Sequence, residues 1–140
     1  MNYLLDVNVL VAWGWSDHTE HRRAAAWIGA MMRKKNTLLF TSAIPELGFV
    51  RVSVQRTGGR MAVGDVAETL EGMLGTLGKR HKFLTDDQSS VEGWPEWCHS
   101  ASKTTDAHLL RLASRHKIRL ATLDEGIPGG FLIPLEPSTL

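Results

Sequence analysis

Apolar positions recur along this chain with two spacings, and the changes from one to the other divide it into elements. Leu4-Leu5 closes a short strand, and residues 7–13 read as a helix starting at its carboxyl end. Helical spacing returns over residues 20–34, where Ala24, Trp27, Ile28 and Met31 form one stripe. Residues 37–40 read as a second strand, and Ser42 stands as the N-cap of a helix running to about residue 54. Gly58-Gly59 breaks the chain before another amphipathic segment, 63–77, with Val66, Leu70, Met73, Leu74 and Leu77 aligned. Residues 81–84 are a strand candidate, 105–116 a helix with Leu109, Leu110 and Ala113 on one face, 119–122 a strand, and 131–133 a short last one. Residues 86–102 resist assignment, being polar, holding Gly93 and Pro95, and punctuated by Trp94 and Trp97. Strands alternating with helices predict an α/β sandwich around a mostly parallel sheet. In such sheets functional groups collect beyond the carboxyl ends of the strands.

Length fits one domain over residues 1–140, able to bury roughly 68–70% of its unfolded surface without cross-links. Its one cysteine, Cys98, leaves no intrachain disulfide and fits a reducing compartment. The apolar start carries Asp6 and Asn8 with no Lys or Arg ahead of them, which suits neither a signal peptide nor a membrane span of about 20 apolar residues. The expectation is a soluble, cytoplasmic protein. Sixteen basic and 15 acidic side chains give a formal net charge of +1. Nucleic-acid binding would therefore rest on local patches rather than on a global field. Basic residues cluster at Arg33-Lys34-Lys35, at Lys79-Arg80-His81-Lys82, and at Arg111, Arg115, Lys117 and Arg119, each of which reads first as a solvated helix end or face.

Four acids stand against the apolar pattern. Asp6 interrupts a run extending from Leu4 to Trp13, and a carboxylate taken out of water costs several kcal/mol unless a charge meets it. Glu46 has Phe49 and Val50 at i+3 and i+4, Asp106 opens the helix that carries Leu109, Leu110 and Ala113, and Asp124 ends the strand read from Leu120. Singly, each has a plain structural reading: Asp106 as a helix cap, Asp124 with Glu125-Gly126 as turn chemistry, Glu46 as a partner of Arg51. Asp6 has the weakest such reading, because no basic residue lies near it in sequence. Together the four sit at strand ends or helix starts on the expected buried side, where like charges repel unless compensated.

A hard divalent cation is the simplest compensation. Mg²⁺ or Mn²⁺ takes oxygen ligands, keeps several waters, and can activate water and stabilise charge on a phosphoryl oxygen. Phosphodiester hydrolysis is the natural reaction for such a cup, with Asn8, Thr105 and Thr122 placed to orient ligands or water, or simply to serve as local caps and turns. Clustered acids should also have raised pKa values, so that a divalent cation stabilises the fold above roughly pH 5. Rival chemistry is thinner. An aspartyl-phosphate phosphatase wants an acid where Asn8 stands, His18 and His21 lack further zinc ligands, and adjacent Cys98-His99 lacks the geometry of a nucleophile and its base.

Four segments, in order and spanning nearly the whole chain, resemble the PIN-domain ribonucleases, specifically the VapC-like toxins of toxin–antitoxin pairs. They are Leu4-Leu5-Asp6-Val7-Asn8-Val9-Leu10, Glu46-Leu47-Gly48-Phe49-Val50-Arg51-Val52, Thr105-Asp106-Ala107-His108-Leu109-Leu110 and Leu120-Ala121-Thr122-Leu123-Asp124. The resemblance implies a three-layer α/β/α sandwich, an acidic Mg²⁺ or Mn²⁺ site, and hydrolysis of RNA. It implies that Asp6, Glu46, Asp106 and Asp124 carry the site, with Asp6, Asp106 and Asp124 as metal ligands and the first two the direct ones. It further implies a homodimer neutralised by a small antitoxin whose tail covers the cleft. Arg51 and the basic clusters would then steer the RNA backbone. Pro45, where a polar residue often precedes the glutamate, and His108, where an aromatic is common, depart from the pattern and bear on substrate fit. An RNA-binding PIN-like module with little turnover, or a metal-dependent phosphatase, is the alternative.

Overall fold

Short strands whose successive side chains are apolar on both faces must be covered on both sides by helices. In the computed structural model, which describes residues 1–136, β1 (Tyr3–Leu5), β2 (Leu39–Ser42), β3 (His81–Leu84), β4 (Arg119–Thr122) and β5 (Phe131–Leu132) form one sheet. Its order is β3-β2-β1-β4-β5, and every neighbouring pair is parallel. The helices are α1 (Val7–Gly14), α2 (His21–Met32), α3 (Ala43–Arg56), α4 (Val63–Leu77) and α5 (Thr104–Arg115). Residues 137–140 of the expected 1–140 domain lie outside the described residues. Among the described residues no helix is long and apolar enough to cross a membrane.

The layers are unequal. Tyr3, Leu5, Leu39 and Ala121 face a core shared with Val9, Leu10, Ile28, Phe49, Val66 and Leu70, which come from α1 to α4. Leu4, Leu84 and Leu120 face the other way, against Leu109, Leu112 and Ala113 of α5. Burying one such leucine is worth roughly 2 kcal/mol, so the four-helix side supplies most of the stabilisation and α5 the smaller share. The α/β/α sandwich is thus thick on one face and thin on the other. Gly48 seats α3 directly against the start of α1, because a Cβ there would stand 2.6 Å from Val7 Cγ2.

Most predicted elements appear within a residue or two, and α4, β3 and β4 match their predicted bounds. Two readings differ for reasons of hydrogen bonding. β2 runs later than the predicted 37–40, because its ladder with β3 continues to Ser42 opposite Leu84 and the helix starts with no intervening turn. Ser42 does occupy the N-cap position of α3, yet its hydroxyl makes no capping bond and is buried without a partner. β4 keeps its predicted bounds, and only the reading of Asp124 as its last residue fails: the Asp124 N–H turns back onto Thr122 Oγ1 at 3.0 Å and the Asp124 carboxylate takes the Gly126 N–H at 2.7 Å. Asp124 is a turn residue rather than the end of a strand.

The unassigned 86–102 stretch holds its course through side chains of α5. Asp86 meets His108 Nε2 at 2.6 Å, and Arg111 donates to the carbonyls of Ser89 and Glu92. Burial opposes ionisation of Asp86, but hydrogen bonds from His108 and from the Gln88 backbone outweigh it and hold the carboxyl below its usual range. Gly93, at φ +88°, gives the Arg111 guanidinium room, since any Cβ would fall 2.5 Å from it. His108 therefore anchors this loop.

Candidate acidic active site

The sheet order reverses beside β1: the chain moves outward through β2 and β3, then returns to β4 on the opposite side of β1. The crevice beyond the carboxyl ends of strands at such a reversal is where open α/β sheets hold ligands. Asp6 follows β1 directly, and the Asp6 N–H extends the ladder to the Ala121 carbonyl at 3.0 Å. Asp6 also caps α1, with Oδ1 accepting from the Val7 N–H at 2.7 Å. Its second oxygen, Oδ2, accepts from the Thr122 hydroxyl at 2.8 Å. The side chain is sealed at 3% exposure with only dipoles around it. Burial pushes its pKa up to about 6, the two hydrogen bonds oppose this, and the charges of Asp106 and Asp124 push it further up.

Thr122 is the hub of this corner. It donates to Asp6 and accepts from the Asp124 N–H and from Asn8 Nδ2 at 3.2 Å, while Asn8 Oδ1 takes the Leu123 N–H at 3.1 Å. One hydroxyl and one amide thus lock the end of β4 to the start of α1. Asp106, half-buried in the first turn of α5, has its carboxyl raised by burial and by Asp124, against a lowering from Lys103. Lys103 Nζ stands 3.7 Å from Asp124 Oδ2. Gly126 makes room for it, since a Cβ there would lie 2.8 Å from the ammonium nitrogen.

Glu46 occupies the first turn of α3 at the same sheet edge, and its partners lie one strand further out. Its Oε2 accepts from Thr41 Oγ1 at 2.6 Å, and Thr41 Oγ1 meets His81 Nε2 at 2.7 Å. Burial lowers the pKa of His81, with the charge of Glu46 opposing. The four predicted acids therefore divide: the charges acting on Asp6 are those of Asp106 and Asp124, while Glu46 engages a separate pair. Asp6, Glu46 and Asp106 each sit at or within one turn of a helix N-terminus, where the peptide dipoles favour an anion. Only Asp6 is fully buried, and the other three are half-exposed.

Thr122 bonds Asp6 directly, whereas Asn8 bonds Thr122 and the Leu123 N–H and no carboxylate. Thr105 is exposed on α5, and Arg51 is exposed on α3 outside the hydrogen bonds of the acids. His18 Nδ1 accepts the Glu20 N–H and His21 Nδ1 meets the Ala12 carbonyl, so both imidazoles are spent on local structure. Among the described residues no three His, Cys, Asp or Glu side chains are gathered closely enough to hold an ion by themselves. The donor set nevertheless fits a hard cation that keeps most of its water: an all-oxygen corner with a buried carboxylate and two acidic neighbours, needing one or two direct ligands. The sequence reading missed Lys103, Thr41 and His81. Thr41 was detectable as a polar residue within an apolar strand, whereas nothing local marks His81.

A family model for the PIN domain matches residues 3–128. The chain belongs to the PIN-domain family. The match begins ahead of Asp6 and ends beyond Asp124, so every acid described above lies within the PIN domain. The chain is similar to Ribonuclease VapC38 of Mycobacterium tuberculosis (strain ATCC 25618 / H37Rv), with 39% identity over 128 residues covering 89% of this chain and 86% of the relative. Ribonuclease VapC44 of Mycobacterium tuberculosis (strain CDC 1551 / Oshkosh) is 35% identical across 91% of this chain and 89% of its own length. Ribonuclease VapC39 of the same strain is 32% identical across 91% of each.

Proposed function

We propose that this chain, a single nuclease domain over residues 1–140, is a metal-dependent endoribonuclease and the toxin of a toxin–antitoxin pair. The observation that carries the reading is Asp6: a sealed carboxylate, raised to about 6 and facing two further acids where the sheet order reverses. Its kinship with relatives named as VapC ribonucleases supplies the reaction class. Asp6, Asp106 and Asp124 would hold Mg²⁺ or Mn²⁺, the first two as the direct ligands. When bound, such a cation neutralises charge on the scissile phosphate and acidifies water.

The chain's own residues do the rest. Thr122 holds one Asp6 oxygen, the Val7 N–H holds the other, and Asn8 fixes Thr122, so the ligand arrives oriented. Glu46 flanks the cup and accepts a proton from, or orients, the attacking water. Arg51 and the basic clusters steer the RNA backbone, which gives salt-dependent affinity. A cognate antitoxin covers the cleft, and exposed Leu47 beside Val50, Leu70 and Leu74 offers it an apolar groove next to Glu46. The working form is a cytoplasmic homodimer.

The test is RNA cleavage in Mg²⁺ and in Mn²⁺ by wild type, Asp6→Asn and Asp106→Asn. Wild-type product, absent in EDTA and reduced more than about a hundredfold in both variants, is expected, since even outer-shell changes cost 10–100-fold. Equal cleavage by all three proteins, or full activity in EDTA, overturns the reading. RNA binding that survives loss of the carboxylates with no product from wild type assigns the fold to binding instead.

A further inference from the structure

The pair behind Glu46 has a direction that its chemistry fixes. Thr41 is fully buried, and its hydroxyl has one proton and two neighbours, Glu46 Oε2 at 2.6 Å and His81 Nε2 at 2.7 Å. An ionised carboxylate only accepts, so the Thr41 proton goes to Glu46 and only lone pairs of Thr41 face His81. His81 Nε2 must then carry a proton and donate it, which leaves Nδ1 bare in the neutral ring. The strand register makes the contact possible: His81 pairs with Leu39 and Phe83 with Thr41, so His81 and Thr41 present their side chains on the same face of neighbouring strands.

We propose that Thr41 and His81 are positioning residues for Glu46, His81 donating through the Thr41 hydroxyl to hold the carboxylate in one orientation toward the cleft. Neither residue touches substrate, and the inference rests on the ribonuclease reading for its effect on turnover. Glu46 is a half-exposed side chain on the first turn of a helix, and without a fixed donor it has several rotamers open to it. A buried hydroxyl with a predetermined proton removes that freedom, and the imidazole predetermines the proton.

Two measurements test this, one independent of activity. Long-range ¹H–¹⁵N spectra of the metal-free wild type should show His81 wholly as the Nε2–H tautomer, and Thr41→Val should let the Nδ1–H form appear beside it. An Nδ1–H ring in the wild type overturns the proposal. In steady-state RNA cleavage, Thr41→Val and His81→Leu should lower kcat about tenfold with KM within twofold, as loss of an orienting partner does. Thr41→Ser, which keeps the hydroxyl, and His81→Gln, which keeps a donor at the Nε2 position, should restore kcat to within about threefold of wild type. Wild-type kcat in a folded Thr41→Val overturns the proposal, as does failure of both conservative variants to restore kcat. If wild type cuts no RNA, the ribonuclease reading falls while the tautomer still decides whether the relay exists.

Discussion

Asp6 follows β1, Asp124 lies in the turn after the neighbouring β4, and both bond the Thr122 hydroxyl, yet they are held in opposite ways. Asp124 is about two-fifths exposed, caps its own turn, and has the Lys103 ammonium 3.7 Å away. Asp6 is sealed, touches only the dipoles of Val7 and Thr122, and lies in the field of two other acids. A charged side chain that needs nothing further looks like Asp124. One whose surroundings raise its pKa to about 6 carries a charge that its neighbours do not compensate.

The largest effect expected from this contrast is on stability. Asp6 has its pKa raised from 3.8 to about 6, so between those values the folded protein binds more protons than the unfolded chain. Stability of the metal-free protein therefore falls as pH rises through that window and is level above it, by about 3 kcal/mol if the whole shift counts. Asp6→Asn removes the charge and sacrifices one hydrogen bond worth about 1 kcal/mol, leaving the variant about 2 kcal/mol more stable than wild type at pH 7 in EDTA. Near pH 4 the advantage disappears. Urea denaturation at the two pH values checks this, and a less stable Asp6→Asn at pH 7 breaks the comparison. The same shift moves the onset of metal stabilisation from the pH 5 expected of ordinary carboxylates to about pH 6.

Thr122 couples the two acids, and its removal should cost less. Thr122→Val takes a donor from Asp6 Oδ2 and an acceptor from the Asp124 N–H and Asn8. Metal affinity at pH 7 should drop about tenfold and the binding midpoint should move to higher pH, while Thr122→Ser retains both. Calorimetric titration with Mn²⁺ reads this, and unchanged affinity in Thr122→Val detaches the hydroxyl from the site.

Much of this was legible in the chain, and unequally so. Asp6 was visible because one carboxylate in an apolar run has no local partner, and strand–helix alternation led to the sheet. That the charges of Asp106 and Asp124 reach Asp6 is a property of strand order, which periodicity does not encode. Treating Glu46 as equivalent to the others was reasonable from its apolar neighbours, but Thr41 and His81, 5 and 35 positions away from it, give it a different setting. Residues 86–102 carried no periodicity because their polar groups are satisfied by side chains and a carbonyl of α5 rather than by a ladder or a helix.

Lys103 supplies the smallest and sharpest test. It lowers the cost of charge on Asp106 and pairs with Asp124, so it competes for the field a divalent cation would neutralise. One-third exposed, the ammonium is screened, and such pairs are worth at most about 1 kcal/mol in stability. Lys103→Met should therefore leave the urea midpoint nearly unchanged in EDTA while tightening Mn²⁺ binding about threefold at low salt. The gain should shrink toward nothing at 1 M salt, where screening acts within about 3 Å. Weaker Mn²⁺ binding in Lys103→Met would mean that the ammonium organises the acids rather than competing for them. The contrast between the self-compensated Asp124 and the uncompensated Asp6 would then collapse into one shared network.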